Sequence, residues 1–287
     1  MLRKKMLVIL GSTATGKSSL AVKIAKKING EIISADSRQV YKGLNIGTGK
    51  ISKKEMKGIP HHLIDVVSPK KKFTVAEYQK KAIYAIAEII KRSKVPIICG
   101  GTGFYIDAIT KGTVFPEVPP NAKLRKSLYS KSAIALFEYL KKLDPRRAKD
   151  IKNKNEINNK VRLIRAIEIA KTLGKVPKLH SDTNSVMAES VSLCNFIKIG
   201  LYLPPDELKK KVEKRVKKMF NDGLLNEIKK LKKSGVSEKR LKEFGFEYNS
   251  PTYEKVVKET IKYTKRQMTW FKRDKEIKWF NANKITL

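Results

Sequence analysis

Residues 1–115 alternate between two patterns of apolar positions. Short apolar runs predict buried strands, and segments whose apolar residues recur every three or four positions predict helices. The predicted strands are Met6–Leu10, Glu31–Ser34, Leu63–Val67 and Val95–Cys99, and the predicted helices are Lys17–Ile28 and Thr74–Ser93. This alternation is typical of a parallel sheet flanked by helices, so we expect an α/β fold.

The pattern changes at a proline-rich hinge, Pro116–Pro120. Helical periodicity then continues without a strand, over Ala122–Ser130, Ser132–Lys142, Pro145–Ile151 and Asn158–Leu173. The polar stretch Ser181–Ser190 is predicted to be a flexible loop. We therefore predict that residues 116–195 form an all-helical insertion.

The α/β pattern resumes after the insertion. It predicts a strand over Phe196–Leu203, helices over Asp206–Asn221, Gly223–Ser234 and Thr252–Arg273, and a closing strand over Ile277–Phe280. Residues 1–115 and 196–287 are therefore expected to form one core, interrupted by the insertion.

The first predicted strand runs into a phosphate-loop motif, Gly11–Ser18. Its members are Gly11, Ser12, Thr13, Ala14, Thr15, Gly16, Lys17 and Ser18. In this motif, small residues let backbone N–H groups surround an oligophosphate, the lysine adds a positive charge, and the final hydroxyl can reach Mg²⁺. The motif predicts a P-loop-type core that binds a di- or triphosphate, with Ser18 as the Mg²⁺ ligand; a plain Gly-rich turn is the alternative.

Two further loops are expected at the same edge of the sheet. Ligands of parallel sheets bind at the carboxyl ends of the strands, where Ala35–Ser37 and Gly100–Thr102 follow strands two and four. Asp36 could take a proton from a substrate or could simply cap a turn, and the spacing leaves both open. Thr102 could make one hydrogen bond or belong to a tight turn. The absence of an acid at the tip of strand four argues against a nucleotide hydrolase and for group transfer.

Composition adds an electrostatic expectation. The formal net charge is +37, spread along the whole chain, which favours a polyanionic partner such as nucleic acid.

No apolar stretch is long enough for a membrane span and no signal-peptide pattern follows Lys5, so we expect a cytoplasmic protein that does not bind membranes. Cys99 and Cys194 form no zinc or disulfide pattern. The neighbouring His61 and His62 should point in opposite directions, which suits a structural or substrate contact better than a metal site.

Segments spread over residues 6–280 also match, in order, those of a known family. They are Gly11–Ser18, Asp36–Gly43, Asn45–Lys50, Pro60–Asp65, Gly100–Tyr105, Arg162 with Arg165–Glu168, and Lys265–Phe271. Together they resemble the bacterial tRNA dimethylallyltransferases of the IPP transferase family. The resemblance implies transfer of a dimethylallyl group from dimethylallyl diphosphate to N6 of adenine 37 in tRNA, giving N6-isopentenyladenosine and diphosphate.

The resemblance also implies residue roles. Thr13 to Ser18 would hold the diphosphate with Mg²⁺, and Asp36 would be the general base. Lys17, Arg215 and Arg266 would stabilise the leaving diphosphate, and Thr102 would complete the catalytic set.

The implied tRNA contacts lie in both the core and the insertion. They are Asp36, Ser37, Arg38, Gln39, Thr102, Arg125, Val161, Arg162, Leu163, Ile164 and Arg165. The helical insertion would bind the anticodon stem-loop, and the flipped-out adenine would enter a channel opposite the prenyl donor. We expect a monomer. We also expect no zinc, because no late Cys/His cluster matches the zinc-finger tail of eukaryotic relatives.

Two positions depart from the family pattern. The segment Gly245–Tyr248 carries Glu247 where a basic residue is usual, so a phosphate contact there should be weakened. Lys211 replaces an arginine and loses the bidentate fork. Viewed only as exposed helical pairs, Lys211 with Arg215 and Arg162 with Arg165 are most often solvated surface.

Three other functions share some of these features. A P-loop kinase of a small metabolite would turn over ATP and need no insertion, and an adenylate prenyltransferase would use AMP, ADP or ATP as acceptor. A non-catalytic RNA-binding protein would need neither Lys17 nor Asp36.

Overall fold

A computed structural model describes residues 4–113, 115–177 and 194–285. Its centre is a sheet with strand order β3-β2-β4-β1-β5-β6, in which every neighbouring pair is parallel. The strands are β1 Lys4–Gly11, β2 Gly30–Ser34, β3 His61–His62, β4 Val95–Gly100, β5 Cys194–Tyr202 and β6 Lys278–Asn281. The expected parallel α/β sheet is confirmed.

Helices follow or connect these strands. The helices in the same compact unit as the sheet are α1 Lys17–Lys27, α2 Lys53–Met56, α3 Val75–Lys91, α4 Gly103–Thr110, α9 Pro205–Asn221, α10 Leu224–Lys233, α11 Glu238–Phe244 and α12 Tyr253–Phe271, with a 3₁₀ turn at Phe246–Tyr248. The intervening helices are α5 Ala122–Tyr129, α6 Ala133–Leu143, α7 Pro145–Asn153 and α8 Lys160–Leu173. None of the helices described here is long and apolar enough to cross a membrane.

The chain divides into two compact units. Residues up to Gly112 and, among those described, from Cys194 onward form the first unit, which contains the whole sheet. The second unit begins at Thr113, and its described part ends at residue 177. The predicted insertion began at 116 and ended at 195; β5 already starts at Cys194, so the last two residues of that range belong to the sheet. The predicted loop Ser181–Ser190 lies outside the described residues.

One predicted strand is wrong. Leu63–Val67 leaves the sheet because Leu63 and Asp65 adopt left-handed backbone conformations, with φ of 62° and 56°. A left-handed residue turns the chain away from the extended path that a strand needs. Only His61–His62 pairs with β2, and Val67 forms a single bridge to Tyr41.

The short helices α2, α4 and α11 were not predicted. No clear apolar period marks any of them: α2 has only four residues, α4 is apolar at most of its positions, and α11 has only two apolar residues, Leu241 and Phe244. Ser52 and Ser237 nevertheless cap α2 and α11 by accepting a hydrogen bond from the third helical residue, which is a sequence signal for a helix start.

The sheet is closely packed where β1 ends. Gly11 has φ of 142°, and a Cβ at this position would lie 2.3 Å from the carbonyl oxygen of Leu201 in β5. A glycine is therefore required for the chain to leave the sheet and enter the phosphate loop beside β5.

The second unit has its own apolar core, which includes Leu136, Leu140 and Leu163. Beside it lies Glu168, which is almost fully buried. Its carboxylate accepts hydrogen bonds from the side chains of Arg125 and Arg165 and from the backbone N–H of Asn121.

Candidate active site

The carboxyl ends of the strands border a cavity of about 1010 Å³. Residues from all three predicted loops line it, including Lys17, Asp36 and Gly101, together with Arg215 from α9 and Gln267 from α12. The predicted convergence of the three loops is confirmed, and the two helices that follow β5 complete the wall.

The phosphate loop offers an anion site at the start of α1. Gly16 precedes the helix with φ of 81°, and no side chain caps the helix N-terminus. The first N–H groups of α1 are thus not bonded to a cap, and helix N-termini attract anions. Residues Thr13, Ala14, Gly16, Lys17 and Ser18 line the cavity.

The other three loop residues lie behind this surface. Gly11, Ser12 and Thr15 are buried, and the hydroxyl of Thr15 donates to the carbonyl of Ser12 at 2.8 Å. They therefore shape the loop from within.

Lys17 lies in an environment that disfavours its charge. Burial lowers the pKa of Lys17 from 10.5 to about 8, and the positive charge of Arg215 acts in the same direction. Its Nζ donates a hydrogen bond to the Ser12 carbonyl. An anion in the cavity would favour the charged form of this lysine.

Asp36 combines the two roles that the sequence left open. Its Oδ1 accepts hydrogen bonds from the backbone N–H groups of Arg38 (2.9 Å) and Gln39 (3.2 Å), as in an Asx turn. No described residue donates a hydrogen bond to Oδ2, while the residue lines the cavity. One carboxylate oxygen therefore fixes the turn and the other is available to a substrate.

Thr102 holds the Asp36 turn in place. Its Oγ1 accepts a hydrogen bond from the N–H of Ser37 at 3.0 Å, and its own N–H donates to the carbonyl of Ala35 at 3.1 Å. These bonds join the loop after β4 to the loop after β2 on both sides of Asp36.

Arg215 is held in the cavity wall by a loop that follows β2. Its Nη2 donates to the Thr48 carbonyl at 3.0 Å. A Cβ on Gly49 would lie 2.1 Å from that nitrogen, so only glycine leaves room for the guanidinium. Burial lowers the pKa of Arg215, and the charges of Asp36 and Glu247 oppose that change.

Gln267 joins the phosphate loop to the loop after β4 and was not predicted as a site residue. Its Oε1 accepts from the N–H of Thr13 at 2.9 Å, and its Nε2 donates to the carbonyl of Gly101 at 2.8 Å. Its only sequence signal was its place in the family-like segment Lys265–Phe271, which assigned it no role.

Two other cations singled out in the sequence, Arg266 and Lys211, differ in whether they line the cavity. Arg266 is exposed beside the ring of Tyr263 (5.7 Å to the centroid) and does not line the cavity, so its predicted contact with diphosphate stays a prediction. Lys211 does line the cavity, but its Nζ donates to Asn283 at 2.7 Å.

Glu247 has a partner that the sequence did not reveal. Its carboxylate lies 2.8 Å from the Arg38 guanidinium. Burial raises the pKa of Glu247, and the charge of Arg38 opposes this rise. A Cβ on Gly245 would lie 2.0 Å from the Arg38 guanidinium. The divergent segment Gly245–Tyr248 therefore packs against that arginine and pairs with its charge.

In the second unit, the predicted RNA-binding cations make ion pairs. Arg125 and Arg165 share Glu168, and Arg162 pairs with Glu156. Each of the three arginine side chains remains about one third or more exposed.

The predicted RNA contact needs a correction at two positions of α8. Val161 is 65% exposed, but Leu163 and Ile164 are buried in the apolar core of the second unit. Positions three and four residues apart on a helix share a face, so a run of five consecutive residues cannot all face RNA. The side chains of Leu163 and Ile164 therefore stabilise the unit.

His61 and His62 make local contacts. Nδ1 of His61 bonds the carbonyl of Ile59 (2.8 Å), and Nε2 of His62 bonds the buried carboxylate of Glu31 (2.7 Å). Arg92 and Lys94 also bond Glu31, which makes it a structural anchor. Within the described residues, no group of three or more His, Cys, Asp or Glu side chains is arranged to hold a metal ion.

Comparison with known proteins agrees with this geometry. A family model described as IPP transferase matches residues 39–274. The chain belongs to the IPP transferase family. It is 40% identical to a tRNA dimethylallyltransferase from Halothermothrix orenii, over 97% of this chain and 88% of the relative. It is 36% identical to a tRNA dimethylallyltransferase from Bacillus subtilis, over 97% of this chain and 91% of the relative.

Solved structures of two relatives have the same fold. The tRNA isopentenylpyrophosphate transferase of Bacillus halodurans matches with a TM-score of 0.66 and 34% identity, over 98% of this chain and 90% of that one. A eukaryotic dimethylallyltransferase acting on tRNA matches with a TM-score of 0.76 and 27% identity, over 97% of this chain and 74% of that one. The family resemblance expected from the sequence is confirmed.

Proposed function

We propose that this enzyme transfers the dimethylallyl group of dimethylallyl diphosphate to N6 of adenine 37 in tRNA. The products are N6-isopentenyladenosine in the tRNA and diphosphate. The observation that carries this proposal is the shared cavity: Asp36, whose Oδ2 accepts no hydrogen bond from the described residues, lines the same cavity as Lys17 and Arg215. The names of the relatives supply the substrate class.

Asp36 is the general base in this mechanism. Its Oδ2 takes a proton from the N6 amino group as N6 attacks the allylic carbon, the C–N bond forms, and the C–O bond to diphosphate breaks. The Asx turn and Thr102 hold the carboxylate in one orientation, which favours a productive approach.

The leaving diphosphate is stabilised by positive groups that line the cavity. The N-terminus of α1 offers backbone N–H groups, and Lys17 and Arg215 supply charge. Gln267 fixes the Thr13 backbone relative to Gly101 through its two hydrogen bonds, so the phosphate loop is preorganised before the substrate binds.

The chemistry of the site also suits Mg²⁺. Magnesium ions are held by few protein oxygens plus substrate phosphates, and Ser18, whose side chain is a hydroxyl, lines the cavity at the start of α1. Ser18 would hold the ion, which would offset charge on the diphosphate. We further propose that the helical unit binds the anticodon stem-loop through exposed cations and that the enzyme acts as a monomer.

The test is Asp36→Asn, measured as transfer of labelled dimethylallyl to tRNA. An asparagine oxygen can still accept from Arg38 and Gln39, so the turn is preserved while the base is lost. We expect transfer to fall about a hundredfold or more with tRNA affinity unchanged. Asp206→Asn, at an exposed position of α9, is the matched control and should keep full activity. Unchanged turnover in the Asp36 variant would remove it as the base.

The acceptor and donor are tested in the same assay. Offering AMP in place of tRNA tests for an adenylate prenyltransferase, and offering labelled ATP with no prenyl donor tests for a kinase. Mass spectrometry of the nucleosides should detect the prenyl group only in tRNA. Prenylated AMP or phosphate transfer from ATP would contradict the proposal.

A further inference from the structure

A buried carboxylate outside the cavity holds the loop that contacts Arg215. Glu227 lies on α10 and is 8% exposed. Its Oε2 accepts hydrogen bonds from the backbone N–H groups of Asn45 (2.9 Å) and Ile46 (2.8 Å). Its Oε1 accepts from the N–H of Gly47 (3.1 Å) and from the hydroxyl of Tyr248 (2.9 Å).

The bonded segment, residues 45–50, is the loop that positions Arg215. Its Thr48 carbonyl accepts the Arg215 hydrogen bond, and its Gly49 leaves space for the guanidinium. The loop is also packed against the Tyr248 ring, because a Cβ on Gly47 would lie 2.7 Å from ring atoms. Glu227 therefore fixes residues 45–47, and these directly precede Thr48 and Gly49, which contact Arg215.

The choice of a carboxylate here has a physical reason. Burying a charge is costly unless hydrogen bonds compensate, and Glu227 takes part in no ion pair among the described residues. Only an ionised carboxylate offers acceptors to four donors at once. A glutamine at position 227 would place its NH₂ group, which is a hydrogen-bond donor, against a backbone N–H, which is also a donor.

We infer that Glu227 is a positioning residue that orients Arg215 towards the diphosphate by ordering residues 45–50. This inference rests on the proposed function only through the role of Arg215. The inference gives α10 an indirect role in the site, although none of its residues lines the cavity.

The first test is Glu227→Gln. The amide nitrogen is best tolerated at the Oε1 position, where the Tyr248 hydroxyl can turn to accept, but there the N–H of Gly47 loses its partner. One unsatisfied buried donor next to Thr48 should lower kcat for prenyl transfer about tenfold and weaken diphosphate binding, with the KM for tRNA unchanged. Glu254→Gln, at an exposed position of α12, is the matched control.

A double-mutant cycle separates positioning from general stability. Arg215→Lys removes the guanidinium that the loop holds, so Glu227→Gln should cause little further loss of kcat in that background. An undiminished loss in the Arg215→Lys background overturns the inference, because Glu227 would then act independently of Arg215. Full activity of Arg215→Lys alone would instead show that the proposed role of Arg215 is wrong.

A milder variant covers the case in which Glu227→Gln does not fold. Tyr248→Phe removes one of the four hydrogen bonds and keeps the carboxylate and its three backbone donors. We expect thermal unfolding to show a folded protein whose kcat is lowered less than tenfold, with the tRNA KM unchanged. A raised tRNA KM at unchanged kcat would contradict the inference.

Discussion

At the scale of single residues, the site depends on side chains that carry out two tasks at once. Asp36, which lines the cavity, caps its own turn with Oδ1 and leaves Oδ2 without a hydrogen bond from any described residue. Lys17 bonds the carbonyl of Ser12 while it lines the anion site. Most substitutions at such residues would remove the chemistry and disturb the local backbone together; Asp36→Asn separates the two effects, because an asparagine oxygen can still accept the hydrogen bonds of the turn.

The lowered pKa of Lys17 predicts a pH dependence. The ammonium form is needed to bind diphosphate, and it is lost from the free enzyme as the pH rises through about 8. We therefore expect kcat/KM for dimethylallyl diphosphate to fall above pH 8. Lys17→Arg keeps its charge at these pH values, so its lower activity should show no such fall. A flat wild-type profile above pH 8 would contradict this assignment.

At the scale of elements, much of the sheet could be predicted, because buried parallel strands are short apolar runs and the helices between them are amphipathic. The phosphate loop and Asp36 were also predictable, since both follow directly after such a run. The role of Gln267 was not, because it depends on hydrogen bonds to Thr13 and Gly101, far away in the sequence. Glu227 was missed for the same reason, and the left-handed turn at Leu63 has no local signal.

The loop at residues 45–50 gives a prediction with a matched control. Gly49→Ala places a Cβ 2.1 Å from Arg215, so the guanidinium must move and prenyl transfer should fall about tenfold or more. Gly58→Ala also introduces alanine at a positive φ, but nothing lies within 4 Å of its Cβ. Both variants should lose about 1 kcal/mol of stability, and only the first should lose activity. Equal activities, measured by labelled transfer, would refute the contact.

The Glu168 cluster predicts how the second unit responds to acid. Burial would raise the pKa of Glu168, but hydrogen bonds from Arg125, Asn121 and Arg165 outweigh it and lower the pKa to about 2. A lowered pKa means that the charged carboxylate stabilises the fold above 4.5, the ordinary value, and that this stability is lost as the pH falls towards about 2.

The corresponding experiment compares Glu168→Gln with the wild type by thermal unfolding, followed through helical circular dichroism. The variant should unfold at a lower temperature than the wild type near neutral pH, and the difference between the two unfolding temperatures should become smaller below pH 4.5. Glu138→Gln, at an exposed position of α6, is the control and should unfold like the wild type at every pH. A difference that stays constant with pH would show that the cluster does not act through its charge.

At the scale of the whole molecule, the net charge of +37 predicts a strong dependence on salt. Cations that bind a nucleic-acid backbone release counterions, so kcat/KM for tRNA should fall at least about tenfold between about 50 and about 200 mM KCl. Diphosphate binding involves a few fixed groups and should weaken far less over the same range. Equal salt slopes for the two ligands would contradict a broad electrostatic contact with tRNA.

The strand order has a consequence for how the chain reaches its native state. β1 lies between β4 and β5, and its residues pair with β5 from Lys4 to Gly11. Because β5 begins at Cys194, one edge of β1 has no native neighbour until most of the polypeptide has been synthesised. Contacts between such distant parts of a chain form slowly, and an open strand edge can associate with other molecules in the meantime. Nascent chains should therefore be most prone to aggregate, and most dependent on chaperones, while the helical unit is leaving the ribosome.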